Sequence, residues 1–289
     1  MKLATFSAPG DPLARVGVVD ATGTRLHDLA AVVPDMLTLI DGGAAALEQV
    51  RAALPTAPQY ALSDVTLLAP LPRPRKNIIC LGLNYAAHAY ESARARGRPE
   101  VLPEYPVFFT KSVSSVNHPN AIIPIHSGVT AQLDWEVELA VIIGQHGSEV
   151  DATQAMNYVF GYTVLNDISA RDLQTRHQQF YRSKSLNGSA PMGPWIVTAD
   201  EIPDPHALRL QLRLNGATMQ DSTTADMIFT IPQIIATLSQ GGVVEPGDII
   251  STGTPSGVGM GMQPPRWLQA GDVLEAEIGQ IGVLRNTVG

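Results

Sequence analysis

The run Leu133-Asp134-Trp135-Glu136-Val137-Glu138-Leu139-Ala140-Val141-Ile142-Ile143-Gly144 constrains this chain more than any other stretch. It is rich in Val and Ile and stopped by a glycine, which predicts a strand. Two carboxylates, Glu136 and Glu138, lie within it. Side chains two apart on a strand point to the same face, so the pair aims two negative charges at one place. In a partly buried sheet such charges repel each other and lose solvation. Either the face is open to water or something positive sits on it, and residues elsewhere in the chain favour the second.

A chain of 289 residues with 45% hydrophobic content can bury a sizeable core, as one large domain or one with a smaller companion. The formal net charge of −8, with no Lys/Arg block, argues against nucleic acid and against an anionic membrane surface as partners. It leaves room for a small anionic substrate, because one local Lys or Arg, or a metal, can bind that. The single cysteine, Cys80, excludes an internal disulfide and reads as a buried, inert thiol. Met1–Val19 lacks a signal-peptide apolar core and no run reaches transmembrane length, so a soluble cytoplasmic protein is expected. The 25 Gly and 22 Pro point to many turns and short strands rather than a helical bundle.

Residues 1–70 read as a small N-terminal unit, with strands at Lys2–Phe6, Val16–Val19 and Val65–Leu68 and a helix over Ala45–Leu54. Nothing in it looks chemical. The alternating prolines of Ala69–Arg75 make a stiff extended connector, which places the domain boundary there and assigns residues 71–289 to the larger domain. A strand over Asn77–Leu83 then leads to Asn84, a suitable N-cap for a helix over Tyr85–Arg96 that Gly97 and Pro99 stop. His88 and Glu91, three apart, are neighbours on one face of that helix. A histidine oriented by a carboxylate suits a general base working through water, although the same spacing also describes an ordinary surface pair. Ala152–Tyr158 reads as a short helix, and a strand over Val159–Leu165 ends at Asn166-Asp167. If that strand lies near the first carboxylate strand, Asp167 supplies a third oxygen ligand. Glu, Glu and Asp, with no Cys and no nearby His pair, describe a hard-cation site for which Mg²⁺ or Mn²⁺ fits best and Ca²⁺ is possible. Asp167 could equally cap a helix. Arg182–Pro194 reads as a long, turn-rich loop carrying Lys184. Gly253–Gly261 is neither a Walker loop, a dinucleotide fingerprint nor a nucleophile elbow. It reads as a backbone-rich loop able to point N–H groups and Thr254 at an anion.

Six blocks fall in order along the chain: Gly82-Leu83-Asn84-Tyr85 with His88 and Glu91; Asp134-Trp135-Glu136 with Glu138; Asn166-Asp167-Ile168-Ser169-Ala170-Arg171-Asp172 with Gln174; Lys184-Ser185; Pro191-Met192-Gly193-Pro194; and Gly253-Thr254-Pro255-Ser256-Gly257-Val258-Gly259. Together they resemble the fumarylacetoacetate hydrolase family. The resemblance implies an α+β, mostly β fold, a mixed β-sheet roll with a small α/β N-terminal domain, usually as a homodimer. It implies Mg²⁺ or Mn²⁺ held by Glu136, Glu138 and Asp167. It makes His88 and Glu91 look like a water-activating dyad on a lid segment and places Lys184 near the metal. It matches Arg171, Gln174 and Thr254 to positions that shape or line the substrate pocket. The implied reaction is hydrolysis of a C–C bond in a 1,3-diketo acid, such as an acylpyruvate or fumarylpyruvate, in the catabolism of aromatic or related compounds. The alternative is an isomerase, decarboxylase or hydratase acting on a 2-oxo diacid through a metal-stabilised enolate. A non-catalytic binding module is a third reading, but it has no use for the His88–Glu91 pair. One departure stands out. Where the family often reads Lys-Ser-Phe-Asp-Thr, this chain has Lys184-Ser185-Leu186-Asn187-Gly188, so a charge and a hydroxyl are missing beside the lysine.

Overall fold

Val137–Ile143 lies inside a 12-stranded sheet of the computed structural model, which describes all 289 residues. It runs antiparallel to Val159–Asn166 on one side and to Ile249–Ser251 on the other, and every residue of it is buried. Val137, Leu139, Val141 and Ile143 enter one core of 37 buried residues, which they share with Leu210, Leu212 and Leu274 of a second, five-stranded sheet. Ala140 and Ile142 point the other way, into a core of 21 buried residues with Leu39, Ile40 and Val50 of the N-terminal helices. A strand covered on both faces needs a continuous apolar run rather than an alternating one. Burying such side chains is worth roughly 1.5–3 kcal/mol each. Together they outweigh the several kcal/mol that a desolvated carboxylate costs, so the strand can carry Glu138 inside.

The main path of the large sheet runs Gln59–Ala61, Arg25–Asp28, Arg15–Val19, Lys2–Ser7, Ala190–Thr198, Val159–Asn166, Val137–Ile143, Ile249–Ser251, Ile78–Gly82, Val107–Lys111. Neighbours are antiparallel except Ile249–Ser251 with Ile78–Gly82, which are parallel. The fold is thus mostly β with mixed sheets and few helices, as expected. The N-terminal strand Lys2–Ser7 pairs with Ala190–Thr198 through Lys2↔Val197 and Leu3↔Ile196. Thr5 Oγ1 donates to the Pro70 carbonyl at 2.7 Å, and Leu71 is buried beside it. No helix is long and apolar enough to cross a membrane.

Four local expectations differ from what is observed. Leu133–Gly144 is not one strand. Leu133–Asp134 pairs with Ser169–Ala170, the ladder breaks at Trp135-Glu136, and it resumes at Val137. The break has a polar cause: Asn166 Oδ1 accepts from Glu136 N at 3.0 Å, replacing a ladder bond, and Asp134 takes the Trp135 N–H. Ala152–Tyr158 contracts to a 3₁₀ turn over Ala155–Tyr158. Arg182–Pro194 is not a loop throughout, because Tyr181–Lys184 is helical and Ala190–Thr198 is a strand. Asn84 does not cap its helix, which spans Ala86–Ala95 without a side-chain cap. Asn84 is instead fully buried, with Nδ2 donating to the carbonyls of Thr252 (2.8 Å) and Phe229 (3.1 Å) and Oδ1 accepting from Phe229 N (2.8 Å). It ties the start of the helix to two other segments.

Candidate active site

Glu136 leaves the strand break and Glu138 the second position of the resumed strand, while Asp167 follows the end of the neighbouring strand Val159–Asn166. One oxygen of each approaches the others to within 4.8 Å, and all three side chains are buried. Around them the charges are asymmetrically paired. Lys184 Nζ donates to Glu136 Oε2 and to Asp167 Oδ2, both at 2.6 Å. Lys111, fully buried, donates to Asp167 Oδ1 at 2.7 Å and is held further by the Ile168 carbonyl and Ser189. Arg171 bridges Asp134 Oδ2 (2.8 Å) and Glu136 Oε1 (2.7 Å). Glu138 has no cation of its own: its Oε2 accepts from Ser251 Oγ (2.5 Å) and Gly253 N (3.0 Å) only.

This pairing decides the acidities. Burial alone would raise Glu136, but Lys184 and Arg171 overcome it and hold the carboxyl well below the usual range. Burial, then the charges of Asp167 and Glu136, push Glu138 up to about 8. Burial works against the Lys184 ammonium, but Asp167 and Glu136 outweigh it and raise it above its ordinary value. Four buried carboxylates (Asp134, Glu136, Glu138, Asp167) therefore meet three buried cations (Lys111, Arg171, Lys184). The positive partner that two adjacent carboxylates require is only partly supplied by the protein. A carboxylate offers about four lone-pair sites, so acceptor capacity remains on all three oxygen donors. A proton on Glu138 balances the charge in the metal-free site, and an all-oxygen set able to give up that proton fits a hard divalent cation.

His88 and Glu91 do face one another on the helix. His88 Nδ1 lies 3.2 Å from Glu91 Oε2, and both are largely buried, which rules out the surface-pair reading. Glu91 Oε1 accepts from Gly257 N at 3.0 Å. The glycine run does present N–H groups to anions, but those anions are the protein's own. Gly253 N bonds Glu138, Gly257 N bonds Glu91, and Gly259 N and Met260 N bond the two oxygens of Asp134 at 2.7 and 3.0 Å. The glycines are needed for closeness. At Gly257, with φ +101°, a Cβ would strike the Met219 carbonyl, and at Gly261 it would strike the Glu91 carboxyl. Thr254 Oγ1 donates to the Val137 carbonyl (2.9 Å) and accepts from Gln220 (2.8 Å), so its proton is already engaged.

A cavity of about 160 Å³ opens onto this cluster. Seven of the nine expected residues line it; Glu91 stands behind His88, and Asp167 beneath Lys184. Phe109 and Phe180, packed edge to face at 5.5 Å, form an apolar wall, with Lys184 Nζ 5.0 Å from the Phe109 ring centre. Sequence reasoning missed Lys111 and Asp134, and also Arg96, which lines the cavity. Asp134 could have been found, since it lies two before Glu136 in the same alternation; a lysine ending an apolar strand carries no such signal. Of the missing Asp and Thr after Lys184, the second gains an account: Gly188 adopts φ +71° with Pro124 where a Cβ would go. Asn187 meets His126 Nε2 through its backbone carbonyl at 2.9 Å, and nothing in the structure explains its side chain.

Residues 77–289 match the family profile described as fumarylacetoacetate (FAA) hydrolase C-terminal. The chain belongs to the fumarylacetoacetate hydrolase family. Among the family's curated members it is 49% identical over 230 residues to oxaloacetate tautomerase YisK of Bacillus subtilis (strain 168), covering 80% of this chain and 75% of that protein. It is 40% identical over 297 residues to the mitochondrial oxaloacetate tautomerase FAHD2A of Bos taurus, covering 100% and 91%. Among solved structures of the family, fumarylacetoacetate hydrolase from Exiguobacterium antarcticum aligns over 100% of this chain and 99% of its own, with TM-score 0.87 and 40% identity. Maleylpyruvate hydrolase from Sphingobium sp. SYK-6, in complex with manganese(II) and pyruvate, aligns over 100% and 98%, with TM-score 0.80 and 31% identity.

Proposed function

We propose that this chain interconverts the keto and enol forms of a small 2-oxo diacid, with oxaloacetate the first candidate, rather than hydrolysing a diketo acid. The observation that carries the reading is the 49% identity to a relative named as an oxaloacetate tautomerase, which a second such relative supports at 40%. Within the family, members named as isomerases or hydrolases share the fold, so the site must decide.

In this reading Glu91 fixes His88 through Nδ1, which leaves Nε2 to meet the substrate. A proton passes from the substrate C3 to Nε2. The C–H electron pair becomes the C2–C3 double bond, and negative charge moves to the C2 carbonyl oxygen, which then takes up a proton. Lys184 has three N–H donors, two of them engaged by Glu136 and Asp167; the third can stabilise that oxygen. Mg²⁺ or Mn²⁺ held by Glu136, Glu138 and Asp167 would add Lewis-acid polarisation of the same carbonyl. The manganese bound by the maleylpyruvate hydrolase relative supports that choice of ion. Tautomerisation needs only a proton carrier. Hydrolysis also needs a water aligned on a second carbonyl.

The test is to add the enol form of oxaloacetate to Mg²⁺-loaded protein and identify products by NMR. We expect faster loss of enol with the carbon skeleton intact. His88→Ala should retain metal and slow the conversion by about 100-fold, the size usual for a general base. Glu136→Ala should lose both metal and turnover. Cleavage of acylpyruvates into two acids, with the enol of oxaloacetate unaffected, would instead restore C–C hydrolysis as the reaction.

A further inference from the structure

Arg96 closes the helix that carries His88 and faces the same cavity. It is half-buried and forms no ion pair. Its one hydrogen-bond partner is a neutral amide: Nη2 donates to Gln174 Oε1 at 2.6 Å. The same oxygen accepts from Arg171 Nη1 at 3.2 Å, which fixes the Gln174 side chain and leaves its NH₂ with no acceptor in the protein. Burial and the like charges of Arg171 and Arg98 push the Arg96 guanidinium down to about 10, so it remains charged at neutral pH. An arginine in a cavity with several buried carboxylates, yet bound to none of them, has an unmet requirement for an anion. Arg171 cannot serve, because Asp134 and Glu136 already hold it.

We propose that Arg96, with the Gln174 amide, binds the distal carboxylate of a 2-oxo diacid and so selects diacids over 2-oxo monoacids. This rests on the preceding reading for the other end of the substrate, where the 2-oxo acid group meets the acidic cluster and His88. A second carboxylate left unpaired in this cavity would face the desolvation cost of a buried charge and repulsion from Glu136 and Glu138. Arg96 keeps Nε, Nη1 and the second N–H of Nη2 without a protein acceptor, and the remaining Nη2 N–H with the donor next to it makes the planar fork that suits a carboxylate. Eight residues separate Arg96 from His88, about 12 Å of helical rise. Helical side chains lean toward the N-terminus, so the guanidinium reaches back along the helix toward the base. The spacing therefore favours a short diacid, whose two ends span the base and the arginine.

The experiment is calorimetric titration of the Mg²⁺-loaded protein and of its Arg96→Gln variant with oxaloacetate, pyruvate and oxalate. Pyruvate lacks the distal carboxylate; oxalate carries the same double charge without the distance. Arg96→Gln should weaken oxaloacetate binding roughly tenfold to a hundredfold, the worth of a lost charge-assisted hydrogen bond. Pyruvate and oxalate should stay within about twofold, which also shows that the variant is folded. Arg96→Lys should recover part of the loss. An equal loss for all three ligands would reduce Arg96 to a structural role, and unchanged oxaloacetate binding would overturn the proposal outright. If this binding pattern holds while the enol of oxaloacetate is not turned over, the tautomerase reading fails and the role of Arg96 stands.

Discussion

Among single residues, burial holds four carboxyl groups of the site against three cations, and a proton on Glu138 makes up the difference. Glu138 is the buried carboxylate without a cation, and metal-free protein keeps it protonated to about pH 8. Its folded-state value lies above the ordinary 4.5, so the folded protein binds this proton in a window where the unfolded chain has released it. Stability on this account is full below about pH 4.5 and falls as pH rises toward 8, at up to about 1.4 kcal/mol per unit. Glu136 acts oppositely: its depressed value adds stability above the ordinary carboxylate range, lost as the pH drops to acid. Denaturant midpoints of metal-free protein should therefore decline between about pH 5 and pH 8, and Mg²⁺ should flatten that decline, because a ligating carboxylate must be ionised. The same linkage predicts release of up to about one proton per ion bound at neutral pH, readable by calorimetry in buffers of different ionisation enthalpy. Lys111 offers a second check. Removing one partner of a buried ion pair costs about 3–5 kcal/mol, so Lys111→Met should lower stability by that order and weaken metal binding by freeing Asp167. Unchanged thermal melting of Lys111→Met would contradict the pairing.

At the scale of elements, the glycine loop Gly253–Gly261 and the helix Ala86–Ala95 act together. The loop donates N–H groups to Glu138, Glu91 and Asp134, and so orients one expected ligand, the partner of the expected base, and the carboxylate that holds Arg171. Two glycines of the loop should behave differently. Gly257→Ala meets backbone and strains a positive φ, so we expect a loss of at least about 2 kcal/mol in unfolding free energy. Gly261→Ala meets only the movable Glu91 carboxyl. It should leave the melting temperature nearly unchanged while turnover falls about tenfold as Glu91 loses its grip on His88, the lower end of what base catalysis contributes. Much of this level was legible in the sequence. The strand that leads to Asp167 and the helix with His88 and Glu91 announce themselves by composition and spacing. What escaped was polar substitution for regular structure. The strand break at Trp135-Glu136 depends on Asn166, 30 residues further on, and the first half of the strand Ala190–Thr198 is written in Pro, Met and Gly. Lys111 and Arg96 escaped for a related reason: their partners Asp167 and Gln174 lie 56 and 78 residues away and meet them only in the folded chain.

At the scale of the whole molecule, the N-terminal segment is bound into the sheet that carries the site. Leu3, Val16, Leu39 and Ile40 share a core with Ala140, Ile142 and Leu165, which lie on the strands bearing Glu138 and leading to Asp167. A chain begun at residue 71 would expose that face and leave Ala190–Thr198 without its neighbour Lys2–Ser7. We expect such a truncation to aggregate or to melt far below the full chain, and co-expression of residues 1–70 as a separate piece to restore it in part. The strand of Glu138, with Glu136 in the break just before it, thus lies between two cores with a cavity at one end.

In the proposed reaction this site moves a proton at C3 of a short 2-oxo diacid, with His88 as the carrier. Deuterium incorporation at C3 of oxaloacetate, followed by NMR in heavy water with Mg²⁺-loaded protein, reads that step directly. We expect exchange well above the metal-only rate, suppressed in His88→Ala and in metal-free protein, with the carbon chain conserved. Exchange no faster than in protein-free solution, or equal exchange in His88→Ala, would contradict it.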